Sequence, residues 1–155
     1  MNRVRNMVIE SVTTPPWCWR KRVLPQHTDH GGVMWHGAYV AWLEEARVEA
    51  LAAVGLPYDR LAAEGLEMPV VRLELEYRQA LHHGEQVDLE SWALQRRGVR
   101  WPWASRWCRE DGQVAAMARV ELVLVRLEGA RRSVLRQAPP ALQEALEHLQ
   151  RGPSA

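Results

Sequence analysis

The sequence predicts an α+β fold: a five-stranded antiparallel sheet with one long helix packed lengthwise on a face, and a further helix at the C-terminus. Three observations predict it. From Gly37 to Val54 apolar residues recur at three-to-four spacing, as on one face of a helix. After Met68 the period changes to two and holds through four runs joined by tight turns. One more strand-like run precedes the helix. A helix followed by a strand meander gives an antiparallel sheet with the helix on one face. The chain of 155 residues suits a single domain, expected over residues 15–151, behind a flexible tail at 1–14.

Pro15-Pro16 breaks whatever precedes it, and Trp17 to Leu24 reads as the first strand, ended by Pro25. In the long helix, Val40, Leu43, Ala46/Arg47, Ala50/Leu51 and Val54 form the apolar stripe, while Glu44, Glu45 and Glu49 take other faces. Its alanines favour helix, and Gly55 supplies a stop. Pro57 to Gly65 reads as a short helix with its own glycine stop. In the strand from Met68 to Arg78, Val71, Leu73, Leu75 and Tyr77 share one face against Arg72, Glu74, Glu76 and Arg78 on the other. His82-His83-Gly84-Glu85 is a turn. Gln86 to Arg97 follows, with Val87, Leu89, Ser91 and Ala93 on one face. Arg100 to Glu110 carries Trp101, Trp103 and Trp107 on one face. Asp111-Gly112 marks a hairpin into a last strand from Gln113 to Leu127, with Val120, Leu122 and Leu124 inward. An Arg-rich turn, Pro139-Pro140 and a helix from Ala141 to Leu149 complete the chain.

Composition narrows the function. Apolar residues make up 47%, enough for a real core. Lys+Arg of 20 against Asp+Glu of 19 gives a net charge of +1, which argues against nucleic acid as a partner. Alternating tryptophans on a strand then read as packing rather than base stacking. The two cysteines, Cys18 and Cys108, form no CxxC pair and no disulfide framework. Met7-Val8-Ile9 is too short for a signal-peptide core, and no stretch is long enough to span a bilayer, so a cytoplasmic location without membrane association is the expectation.

The stretch from Thr28 to Tyr39 holds one carboxylate, two adjacent glycines, two histidines and a tyrosine, between the first strand and the long helix. A loop that delivers a carboxylate to the start of a helix suits hydrolytic chemistry. The carboxylate acts as base or nucleophile, and the unpaired N–H groups of the first helical turn bind developing negative charge. Asp29 is equally a common turn residue or cap, since Asp before Gly is frequent in turns. His27, Asp29, His30 and His36 invite a metal reading, but neither an HExxH spacing nor a nearby cysteine accompanies them, and no metal is expected.

The motifs resemble the 4-hydroxybenzoyl-CoA thioesterase family of the hotdog fold. Arg22-Val23, Thr28-Asp29, Gly32-Val33, Tyr39 and Glu44-Glu45-Ala46-Arg47 match its pattern in type, spacing and flanking elements, and the likeness runs from about Trp17 to Leu127. Departures are Gly37, where Ala, Ser or Asn is more usual, and Trp at several positions. The resemblance implies an acyl-CoA thioesterase that works as a homodimer or homotetramer, with no metal and no bound cofactor; CoA arrives with the substrate. It implies that Asp29 attacks the thioester carbonyl or activates a water that does. It implies that His36 offers its backbone N–H to the thioester oxygen, so the role does not require an imidazole.

The expected substrate-binding set is Gly31, Gly32, Trp35, Tyr39, Val70, Val71, Arg96 and Arg97. The glycines let the loop approach the ligand, although loop geometry alone explains them equally well. Arg96 and Arg97, at a strand end, are candidates for the CoA phosphates, as are Arg100, Arg131 and Arg132. Trp35, Val70 and Val71 would line a slot for a flat aromatic acyl group, with 1,4-dihydroxy-2-naphthoyl-CoA as the named candidate. Glu44 and Glu45 match the helix position of the catalytic acid in another hotdog branch; an ion pair with Arg47 or an interface contact is the plainer reading. The alternative function is a non-catalytic acyl- or CoA-binding protein, which gains nothing from a carboxylate beside a thioester.

Overall fold

The computed structural model describes Ile9 and residues 12–154. In chain order its elements are β1 (Trp17–Arg22), α1 (His36–Ala53), α2 (Tyr58–Ala63), β2 (Leu66–Glu67), β3 (Val70–Tyr77), β4 (Gln86–Ala93), β5 (Arg100–Arg109), β6 (Val114–Val123), β7 (Val125–Glu128), β8 (Arg131–Val134) and α3 (Pro140–Arg151). The main sheet has five strands in the order β1-β4-β5-β6-β3, all neighbours antiparallel. The helix connection between β1 and β3 carries the chain from one edge of the sheet to the other.

The inner face of the sheet is built in rows. Trp19, Leu89, Trp107, Ala116 and Tyr77 are successive cross-strand partners, and Ala93, Trp103, Val120 and Leu73 form a second row. Small side chains at Ala116 and Ala118 stand beside the tryptophans and leave room for α1. Ser91 and Ser105, both buried in this apolar face, face each other and share a hydrogen bond of 2.8 Å, so neither hydroxyl is left unpaired.

α1 buries Ala38, Tyr39, Trp42, Leu43, Ala46, Arg47, Ala50 and Leu51. The buried stripe is thus rotated from the expected one: Val40 is 42% exposed, because the bulkier Tyr39 and Trp42 take the inward positions. The helix ends as its glycine requires. Gly55 has φ +84, its N–H donates to Ala52 O and the Leu56 N–H donates to Leu51 O.

Three expectations are corrected. The strand expected to run unbroken from Gln113 to Leu127 stops at Val123. Leu124 is fully buried, its carbonyl accepts from Leu135 N, and the chain continues as β7 in a separate sheet of order β2-β7-β8. The Arg-rich turn is the hairpin of β7 and β8, whose polar second strand is exposed throughout and gave no apolar period to read. The expected apolar face of β3 is not covered within one chain: Val71, Leu73 and Tyr77 are 47%, 40% and 51% exposed, β3 is a sheet edge, and a bulge falls between Val70 and Arg72.

Most of the segment expected as a flexible tail lies outside the described residues. Ile9 is buried in a small cluster with Trp92, Ala104 and Met117, and Trp92 Nε1 donates to Thr14 O. α3 buries Leu142, Ala145, Leu146 and Leu149, and Trp17 Nε1 donates to its Leu149 carbonyl.

Candidate active site

The loop between β1 and α1 is held from two sides. Beyond β1, Val23 exchanges hydrogen bonds with the turn before β4: Val23 N donates to Glu85 O and Gly84 N to Val23 O. The 3₁₀ turn Pro25–His27 follows, with the His27 Nδ1 accepting from Leu24 N at 3.1 Å. The loop then folds back on itself. Thr28 pairs with Met34, Asp29 N donates to Val33 O, and Gly32 N donates to Asp29 O. Gly32 has φ +76, a left-handed conformation that a side chain resists. The turn Leu81–Glu85 clamps the other side: Met34 N donates to Leu81 O and His83 N to Gly32 O.

Glu85 holds that turn in shape. Its Oε2 accepts from His82 N at 2.6 Å and its Oε1 pairs with Arg109 Nη2 at 2.8 Å. Burial opposes ionisation of Glu85, but the His82 N–H and the Arg109 guanidinium outweigh it and hold the carboxyl below its ordinary range.

Asp29 is exposed, and its two oxygens are not equivalent. Oδ1 accepts from Gly31 N at 2.8 Å and from Val33 N at 3.3 Å. A Cβ on Gly31 would stand 3.2 Å from that same oxygen, which is why glycine suits position 31. Oδ2 has no hydrogen-bond partner among the described residues, so one oxygen orients the group while the other faces outward unengaged.

The helix begins immediately after the loop. Trp35 is its N-cap, without a side-chain cap, and Trp35 N donates to His27 O. The amides of His36 and Gly37 precede the first intrahelical bond and donate to no protein atom among the described residues. The Trp35 indole is 44% exposed and folds over Gly37, with the His36 ring 5.2 Å from it edge-on. Tyr39 points the other way, into the core: 1% exposed, its ring 5.2 Å from Trp107 and 5.1 Å from Tyr77. Burial, aided by Tyr77 and Glu85, pushes its phenol up to about 12, so it stays neutral at physiological pH.

The structure thus brings Asp29, Gly31, Gly32, Trp35 and His36 onto one tied loop at the mouth of α1. Val70 lies elsewhere, in a cavity along α1, and Val71 and Trp35 do not line that cavity. Arg96 and Arg97 lie past the far end of β4 from Glu85, beyond its 8 residues, roughly 25 Å of strand at about 3.3 Å per residue. There Arg96 donates to Arg136 O and stacks on Trp101, and Arg97 closes the β4–β5 turn with Arg100. Among the described residues no group of three His, Cys, Asp or Glu is placed to hold a metal ion. No helix among them is long and apolar enough to cross a membrane.

Two features escaped sequence reading. The Leu81–Glu85 clamp is a polar turn whose partner strand end is distant in sequence. Of the two readings of Glu45, an ion pair with Arg47 or an interface contact, the first does not form: Lys21 takes Glu45, and Arg47 is buried with its Nε unpartnered.

The five-stranded antiparallel order with the long helix α1 against its inner face is a hotdog fold. The profile of the thioesterase-like superfamily matches residues 23–147, and the chain belongs to that superfamily. It is 35% identical over 144 residues to a putative esterase, sll0410, of Synechocystis, covering 92% of this chain and 86% of that one. It is 28% identical over 107 residues to the acyl-CoA thioester hydrolase YbgC of Escherichia coli, covering 69% and 80%. The crystal structure of a DHNA-CoA thioesterase from Staphylococcus aureus superposes with a TM-score of 0.75 at 24% identity, over 86% of this chain and 89% of that one, and shares the fold.

Proposed function

We propose that this protein hydrolyses an acyl-CoA thioester at Asp29 to release the free acid and CoA, and that the acyl group is aromatic, with 1,4-dihydroxy-2-naphthoyl as the named candidate. The observation that carries the reading is the split carboxylate: Oδ1 fixed by two backbone N–H groups and Oδ2 free, on a loop that leads straight into the unpaired amides of His36 and Gly37. Oδ2 attacks the thioester carbon or draws a proton from a water that does. The carbonyl oxygen gains negative charge as the tetrahedral intermediate forms, and the helix-start N–H groups supply fixed donors for it. The C–S bond then breaks; where Oδ2 itself was the nucleophile, this leaves a mixed anhydride on Asp29 that a water hydrolyses to the free acid and the regenerated carboxylate. A thiol of pKa near ~8.5 leaves readily as thiolate, so the site needs no strong acid beside the sulfur. The half-exposed Trp35 offers a flat apolar wall beside the loop, and 1,4-dihydroxy-2-naphthoyl-CoA is the substrate named for Slr0204, a structural neighbour from Synechocystis. The site works within a homodimer or homotetramer, because the apolar β3 edge needs a cover.

Thiol release measured across a panel of aromatic and aliphatic CoA esters tests this. Steady turnover with a preference for aromatic esters is the expected result; tight binding of every ester without thiol release would overturn it in favour of a binding protein.

A further inference from the structure

A cavity of about 220 Å³ runs along α1, walled by Val40, Leu43, Met68, Val70 and Leu73, with Glu44, Tyr58 and Arg47 as its polar members. That volume is below the ~300–1,000 Å³ of a complete ligand pocket, so it suits an acyl group and not the CoA body. His36, Val40, Leu43, Glu44 and Arg47 recur at helical spacing and share one face of α1. The cavity therefore lies on the same helix face that begins at the candidate oxyanion amides, and it spans from Val40 to Arg47, about 10 Å of helix at 1.5 Å per residue.

Arg47 is the anomaly in this cavity. It is 8% exposed, its Nε has no hydrogen-bond partner, and it makes no ion pair among the described residues. Its two charged or polar neighbours do not engage it: the Tyr58 hydroxyl donates to Met68 O, and Glu44, three residues earlier on the same helix face, forms neither a hydrogen bond nor an ion pair with it among the described residues. Burial opposes the charge on Arg47, and the proximity of Tyr58 and Glu44 only partly offsets it. A buried guanidinium without an acceptor is unfavourable, and an arginine side chain on a helix points back toward the N-terminus, here toward the catalytic loop.

We propose that Arg47 is a specificity residue that receives an oxygen acceptor, a hydroxyl or carboxylate, on the acyl group lying in this cavity. The proposal rests on the acyl-CoA hydrolase reading and adds what that reading lacks, the polarity of the acyl end. The apolar walls hold the carbon skeleton, and Arg47 rejects an acyl group that would leave it unpartnered.

The test uses matched ester pairs: 6-hydroxy-2-naphthoyl-CoA against 2-naphthoyl-CoA, and a carboxyl-terminated against a methyl-terminated eight-carbon acyl-CoA. In the wild type the oxygen-bearing member of at least one pair has the higher kcat/KM. In Arg47→Met that ratio falls by roughly tenfold to a hundredfold, chiefly through KM, the usual scale for a hydrogen bond to a charged group. Arg47→Lys, which keeps the charge, restores part of the ratio and covers the case in which Arg47→Met folds poorly. Calorimetric titration of the same pairs into Asp29→Asn protein, with and without Arg47→Met, reads acyl selectivity without turnover. Thus absence of thiol release sinks the hydrolase reading alone, whereas unchanged ratios in both measurements overturn the role of Arg47. Conversion of an oligomeric wild type to a monomer by Arg47→Met would also overturn it, since Arg47 would then serve a second copy of the chain.

Discussion

The Trp35 indole fills the space that a side chain at Gly37 would need. A Cβ built on Gly37 would overlap the six-membered ring of Trp35, so glycine at the second helical position is what lets the indole lie against the first turn of α1. Gly37 has an ordinary helical backbone, which makes this a demand of space and not of φ. The departure from the family pattern at Gly37 and the tryptophan two residues earlier are thus one feature.

Gly37→Ala should displace the indole and lower kcat/KM for aromatic CoA esters by about tenfold, the scale of one misplaced methyl group in a binding site. The fold should not suffer, because Ala favours helix over Gly by about 0.5–1 kcal/mol. Adding Trp35→Ala should cause little further loss. A double-mutant cycle checks it, and additive losses would show that the two positions act separately.

Asp29→Asn keeps size and removes the charge that a nucleophile or base needs. Its side-chain oxygen still accepts from Gly31 and Val33, so the loop should hold its shape and circular dichroism should not change. Turnover should drop on the order of a hundredfold or more. His36→Ala should cost far less, because the proposed oxyanion donor is its backbone amide and not its imidazole. Near wild-type turnover by a folded Asp29→Asn enzyme would remove the loop from the mechanism.

Val70, Val71, Leu73 and Tyr77 leave an apolar edge on β3 that a second copy would cover. Light scattering at micromolar concentration should give a dimer or tetramer. Val71→Glu, outside the cavity along α1, should shift the equilibrium toward monomer by placing a charge on that edge. A wild type that is monomeric at this concentration contradicts the assembly.

The clamp on the loop should weaken in acid. Glu85 has a lower pKa in the folded chain than its ordinary value of about 4.3, so its stabilisation is complete above that value and is lost as pH falls through the folded one. Urea unfolding of wild type and Glu85→Gln should show the wild type more stable at pH 7, with the gap closing below about pH 4. A gap that widens in acid would contradict the ion pair with Arg109.

The long helix, the alternation of β4 and β5 and the place of the 28–39 loop between first strand and helix were legible because each rests on local spacing or on residue types in one short segment. The break at Leu124 was not, since Leu122 to Val125 is an unbroken apolar run that hides the change of face where the chain passes between sheets. The rotated stripe of α1 was misread because Val40 is apolar yet faces out, toward the cavity that Arg47 closes. The Leu81–Glu85 clamp depends on pairing between β1 and β4, and pairing between distant segments leaves no local mark.

The paired hydroxyls of Ser91 and Ser105 have a consequence far from themselves. They meet only when β4 and β5 are in the observed alignment. A slip of one residue would turn Trp92 inward and the whole inner face of β4 outward. A slip of two would set Ser91 against Trp103 or Trp107 and Ser105 against Leu89 or Ala93, and strand both hydroxyls in an apolar layer. The pair therefore works as an indexing pin in the middle of the sheet. By fixing where β4 starts, it fixes how far the Leu81–Glu85 turn projects, and so the height at which Asp29 is presented.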